Sequence, residues 1–86
     1  MLNLEDFVKE RDEMLMKGSI DELRKFVDEH GALYEPSFVE SFLNCSDEVA
    51  EITLHKMITA ATKLPFEYRM DSVAWLTERG YDHYAR

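Results

Sequence analysis

The sequence has one cysteine, three glycines and two prolines among its 86 residues. A lone thiol, Cys45, excludes the internal disulfide framework on which small secreted domains rely. Long apolar runs are missing too, and no stretch approaches the ~20 residues that a membrane-spanning helix needs. Positive charge is scarce: 10 Lys and Arg face 18 Asp and Glu, a formal charge of −8. The deficit is −5 over residues 1–35 (5 basic, 10 acidic) and −3 over residues 36–86 (5 basic, 8 acidic), so neither half is a basic lobe. This excludes a generic grip on nucleic acid, which works by displacing counterions from phosphates. An anionic membrane surface is disfavoured for the same Coulombic reason. Met1–Asp6 has neither a basic n-region nor a long apolar h-region, so no signal peptide is expected, and a reducing, cytoplasmic setting is.

What remains is 45% hydrophobic and 12% aromatic, too apolar for a disordered acidic tail. The apolar residues recur at helical spacing nearly throughout. Leu4, Phe7, Val8, Met14 and Leu15 make one stripe, opened by Asn3 as N-cap and closed by Lys17 and Gly18. Ser19 and Glu22 form a capping box for the next stripe, Ile20, Leu23, Phe26 and Val27, which ends at His30 and Gly31. Lys17-Gly18-Ser19 leaves room only for a tight turn, so these two helices should be neighbours, an antiparallel hairpin. Pro36 suits the first turn of a short third helix with Phe38, Val39, Phe42 and Leu43 inward. Ser46 caps a fourth helix, whose apolar positions from Val49 to Leu64 cover more than one face and mark it as the packed centre. A fifth helix is expected from about Pro65 to Arg79, with Phe66, Met70, Val73, Ala74 and Leu76 as its buried stripe, followed by Gly80 and a tail over 81–86.

The expectation is therefore an all-α single domain, residues 1–86, of four to five short helices in a helical-hairpin or bundle-like orthogonal packing. No sustained period-two alternation and no Asn-Gly or Asp-Gly turn competes with it. Ten residues are expected to be largely buried: Phe7, Leu23, Phe26, Val39, Phe42, Ile52, Met57, Ile58, Met70 and Val73. Residues 18–32 and 72–82 each resemble the end of the second helix of an ankyrin unit. Their closing glycines stand 49 positions apart, against a period of about 33, and no Thr-Pro-Leu-His occurs, so no repeat array follows.

Chemistry-bearing residues are few. Glu51 and His55 are one helical turn apart and could share a ligand or a proton, but a metal would need further donors that no recognised spacing supplies. Cys45 precedes a helix N-terminus, where thiol acidity rises, yet His55 is nearly three turns away and no Cys-x-x-Cys exists. Asp12-Glu13 and Asp28-Glu29 lie among Lys9, Arg11, Arg24 and Lys25, the pattern of a solvated, ion-paired face. There is no Gly-rich phosphate loop, no Gly-x-Ser-x-Gly and no His-Glu-x-x-His.

More informative is the aromatic and cationic set near the end of the chain. Tyr68, Trp75 and Arg79 are spaced to share a face, and Tyr81 and Tyr84 could join it; Trp, Tyr and Arg are the residue types of protein-binding hot spots. The leading expectation is a non-enzymatic interaction module, an adaptor, regulator or inhibitor that could be a homodimer, with Tyr68, Trp75, Arg79 and Tyr84 as partner contacts. No cofactor, no metal, no membrane and no direct nucleic-acid binding are expected. The size suits an accessory protein of a bacterium, phage or mobile element. Two alternatives stand beside it. One is an acidic mimic of nucleic acid, which needs a carboxylate face free of Lys and Arg. The other is a small metal-binding or catalytic protein built on Glu51 and His55. The Lys17-Gly18-Ser19 turn permits a helix-turn-helix, but the second helix carries Asp21, Glu22, Asp28 and Glu29 against Arg24 and Lys25, the reverse of a recognition helix.

Overall fold

The computed structural model describes residues 3–81. Five α-helices follow one another: α1 (Leu4–Lys17), α2 (Ile20–Glu29), α3 (Pro36–Leu43), α4 (Asp47–Ala60) and α5 (Phe66–Glu78), with a single 3-10 turn over Gly31–Leu33 between α2 and α3. The fold is all-α, and among the described residues there is no strand. No helix is long and apolar enough to cross a membrane among those residues.

The caps explain the boundaries. Asn3 accepts from the Asp6 amide at 2.8 Å, Ser19 from the Glu22 amide at 3.4 Å and Ser46 from the Val49 amide at 3.3 Å, each satisfying an orphan donor of a first turn. Gly18 ends α1 at φ 63°, a conformation that costs a Cβ-bearing residue energy. Its amide donates to the Leu15 carbonyl, and the Tyr68 hydroxyl donates to the same oxygen at 2.6 Å, tying α5 to the end of α1.

One core cluster runs through α1, α2, α3, α4 and the turn after it, with Tyr68 of α5 packed against it. Leu15, Leu23, Val27, Ala50, Leu54, Ile58 and Leu76 are fully enclosed, and Met14, Phe26, Phe42, Ala61 and Leu64 close to it. α4 packs most extensively on α5 and also meets α1 and α2, which makes it the centre that its multi-faced apolar pattern implies. Phe7, Phe26, Tyr34, Phe38 and Phe42 form a chain of ring contacts at 5.5–6.0 Å along the α1–α2–α3 side.

Four of the ten expected core residues are buried: Leu23, Phe26, Phe42 and Ile58. Phe7, Val39, Ile52, Met57 and Val73 are half-buried. Met70 is a correction. It is 37% exposed, and Phe66 of the same expected stripe is 64% exposed. Of that stripe α5 buries Leu76 and half-buries Val73, and it adds Ser72 to the inward face. A serine at the centre of the inward face breaks the apolar pattern, so the apolar residues beside it draw the stripe onto the wrong side. α4 also ends earlier than its apolar run. The helix stops at Ala60, and residues 61–64 form a turn that buries Ala61 and Leu64.

Candidate functional site

The pairing of α4 with α5 brings two separate sequence features into one place. His55, on α4, lies against α5: its Nδ1 is 2.8 Å from the Ser72 Oγ, and its ring stacks on Trp75 with centres 4.2 Å apart and planes 18° apart. One turn before it on α4, a Glu51 carboxylate oxygen is 3.5 Å from the His55 Nε2. One turn after Trp75 on α5, the Arg79 guanidinium carbon is 4.2 Å from the indole centre, and its Nη1 donates to the Trp75 carbonyl at 3.2 Å.

The end of α5 adds a second aromatic wall. Gly80 takes φ 80°, its amide donates to the Thr77 carbonyl, and the Tyr81 amide donates to the Leu76 carbonyl at 2.7 Å. This is a Schellman ending, in which the left-handed glycine turns the chain back across its own helix. It carries Tyr81 toward α4, where the phenol donates to the Glu48 Oε1 at 3.2 Å. The result is a cleft of about 450 Å³ lined by Glu48, Glu51, Trp75, Arg79 and Tyr81. Trp75 and Tyr81 are half-buried, whereas Glu48 and Arg79 are exposed at its mouth.

Burial pushes the His55 imidazole below its ordinary value of 6.5; Glu51 pulls it up, and Arg79 pushes it further down. Burial outweighs the carboxylate, so the ring is neutral at neutral pH and the contact with Glu51 is a hydrogen-bonding one rather than an ion pair. The tautomer that satisfies both neighbours carries its proton on Nε2, facing Glu51, and accepts from the Ser72 hydroxyl at Nδ1. Ser72, His55 and Glu51 thus stand in the order of a nucleophile, a base and its orienting acid. Ser72, however, is 2% exposed and sits in the middle of α5, so its Oγ is closed to a substrate. The trio is a polar bracket between the two helices. Among the described residues, no three His, Cys, Asp or Glu side chains converge to hold a metal ion.

Of the four expected contact residues, Trp75 and Arg79 are brought together here. Tyr68 is not with them: it is half-buried against the core, and its hydroxyl is spent on the Leu15 carbonyl. Tyr84 lies outside the described residues. Glu48 is not among the residues expected to contact a partner; its spacing of three from Glu51 is the sequence signal that puts both on one face. Cys45 is half-buried, and its carbonyl accepts from Arg24, which also pairs with Asp47 at 2.9 Å and so pins α2 to the start of α4.

Two other concavities differ in character. One, of about 430 Å³ between α3 and α4, is apolar, with Tyr34, Phe38, Met57 and Ala60 on its walls. The other, between α1 and α2, carries Glu10, Glu13, Glu22 and Glu29 interrupted by Lys17 and Lys25. Compared with protein-family models, curated protein sequences and solved structures, the chain matches none.

Proposed function

We propose that this chain is a non-enzymatic protein-interaction module, an adaptor, regulator or inhibitor, and that the cleft between α4 and α5 is its binding surface. One observation carries the reading: Trp75, Arg79 and Tyr81 meet two carboxylates at the mouth of one cleft. Aromatic rings fixed by packing lose little entropy on binding, and Trp and Tyr are enriched among the residues that dominate measured interface energies. Trp75 is held by His55 beneath a mouth that solvent reaches, which is the preorganisation that an anchor residue needs. The buried Ser72 hydroxyl favours binding over hydrolysis as the use of this place. A nucleic-acid mimic is less well supported, because Lys17 and Lys25 interrupt the strip of carboxylates between α1 and α2.

The test is site-specific photo-crosslinking in cells. A photoreactive residue at Glu51 should trap a defined partner that one at Lys9, on α1, does not. With that partner purified, Trp75→Ala should weaken binding by about 30-fold, the scale of a hot spot. Tyr81→Ala, at the end of the helix rather than inside it, should weaken it as well and guards against a loss that is only unfolding. Equal trapping from Glu51 and Lys9, or unchanged affinity in both variants, would contradict the proposal.

A further inference from the structure

We infer that the cleft recognises a cationic side chain, an Arg or Lys in a basic segment of the partner, and that Arg79 occupies this position until the partner arrives. The inference rests on reading the cleft as the binding surface and adds the chemistry of what enters it.

The indole face of Trp75 already has a cation near it, since the Arg79 guanidinium carbon is 4.2 Å from its centre. The negative face of an aromatic ring attracts cations, and arginine most often takes the place. The carboxylates across the cleft are not neutralised by this cation. Among the described residues, neither Glu48 nor Glu51 forms an ion pair with a Lys or Arg. Glu48 receives the Tyr81 hydroxyl and Glu51 faces the neutral His55, so neither contact brings a cation to the carboxylate. Among the described residues, the carboxylate paired with Arg79 is that of Glu78, 3.9 Å away on its own helix and solvent-exposed. Arg79 therefore satisfies the ring and its own helix carbonyl while leaving the acidic wall of the cleft open.

A guanidinium or ammonium entering from solvent is free of that geometric restriction. It can lie against Trp75 and Tyr81 and reach Glu48 or Glu51, gaining the charge-assisted hydrogen bonds that Arg79 does not make. Arg79 is half-exposed, so its departure to solvent disrupts no buried group. The chain's charge of −8 draws a basic segment in and speeds its arrival. Arg79 is thus a self-ligand whose displacement accompanies binding.

The probe is a blocked tetra-arginine peptide, followed by the emission of Trp75, the only tryptophan in the chain. Because an acidic protein attracts any polycation, two charge-matched double variants separate the cleft from the general field. Glu48→Gln with Glu51→Gln should weaken the saturable response about tenfold, whereas Asp28→Asn with Glu29→Gln, on α2, should change it by less than about twofold. Arg79→Ala removes the competitor and should tighten binding about threefold. Equal effects of the two double variants, or weaker binding by Arg79→Ala, would overturn the inference. A partner trapped from Glu51 that enters the cleft through a neutral or acidic segment would also overturn it, while leaving the interaction module standing. Failure of both the peptide response and the crosslink would remove both.

Discussion

Trp75 contributes to the fold and to the surface at once. Its ring meets His55 from the neighbouring helix and Arg79 from its own, and the side chain still borders solvent. Sequence reasoning placed Trp75 and Arg79 in one hypothesis and Glu51 and His55 in another. Spacing of three, four and seven exposes neighbours on one helix, so each pair was legible by itself. The union of the two depends on how α4 lies on α5, which no local spacing encodes. Tyr68 shows the limit from the other side, because it shares the right helix and turns its hydroxyl to α1. His55 yields a pH prediction. Burial lowers its folded value beneath the ordinary 6.5, so below pH 6.5 the unfolded chain binds the proton more readily than the folded one. The stability contribution is complete above that pH and is lost progressively as pH falls toward the folded value. Urea unfolding at about pH 7.5 and about pH 5.5 should therefore show a larger loss for the wild type than for His55→Gln, in which this titration is absent. An equal or larger loss in the variant would contradict the bracket.

Among the elements, helix ends were the most legible feature. Asn3, Ser19 and Ser46 cap as their side-chain chemistry implies, and Gly18 and Gly80 take the left-handed turns that Cβ-bearing residues avoid. These signals are local and survive without tertiary information. The inward face of α5 was legible only in part, at Leu76. It is centred on a serine whose partner, His55, is a histidine of another helix, so hydrophobicity alone points away from it. The corrected face makes a contrast. Leu76→Ala opens a fully enclosed site and should cost ~2–5 kcal/mol. Met70→Ala, which the apolar stripe would make comparable, should cost less than ~1 kcal/mol because Met70 borders solvent. Chemical denaturation of the two variants checks this, and similar losses would restore the stripe that the sequence suggests.

For the whole molecule, composition and charge narrowed the possibilities before any fold was in view. Each of the five helices contributes at least one buried apolar side chain, and where α4 and α5 meet, Glu48 and Glu51 share a cleft with an arginine that pairs with neither. General acidity and a specific cleft make different predictions about where a basic ligand touches the protein. Mapping amide chemical shifts on addition of the blocked tetra-arginine peptide is the most direct measurement of that difference. The account predicts shifts concentrated at Glu48, Glu51, His55, Trp75, Arg79 and Tyr81, with Tyr68 and the α1–α2 carboxylates little changed. Shifts spread evenly over Glu10, Glu13, Glu22, Glu29 and the rest of the acidic surface would contradict it.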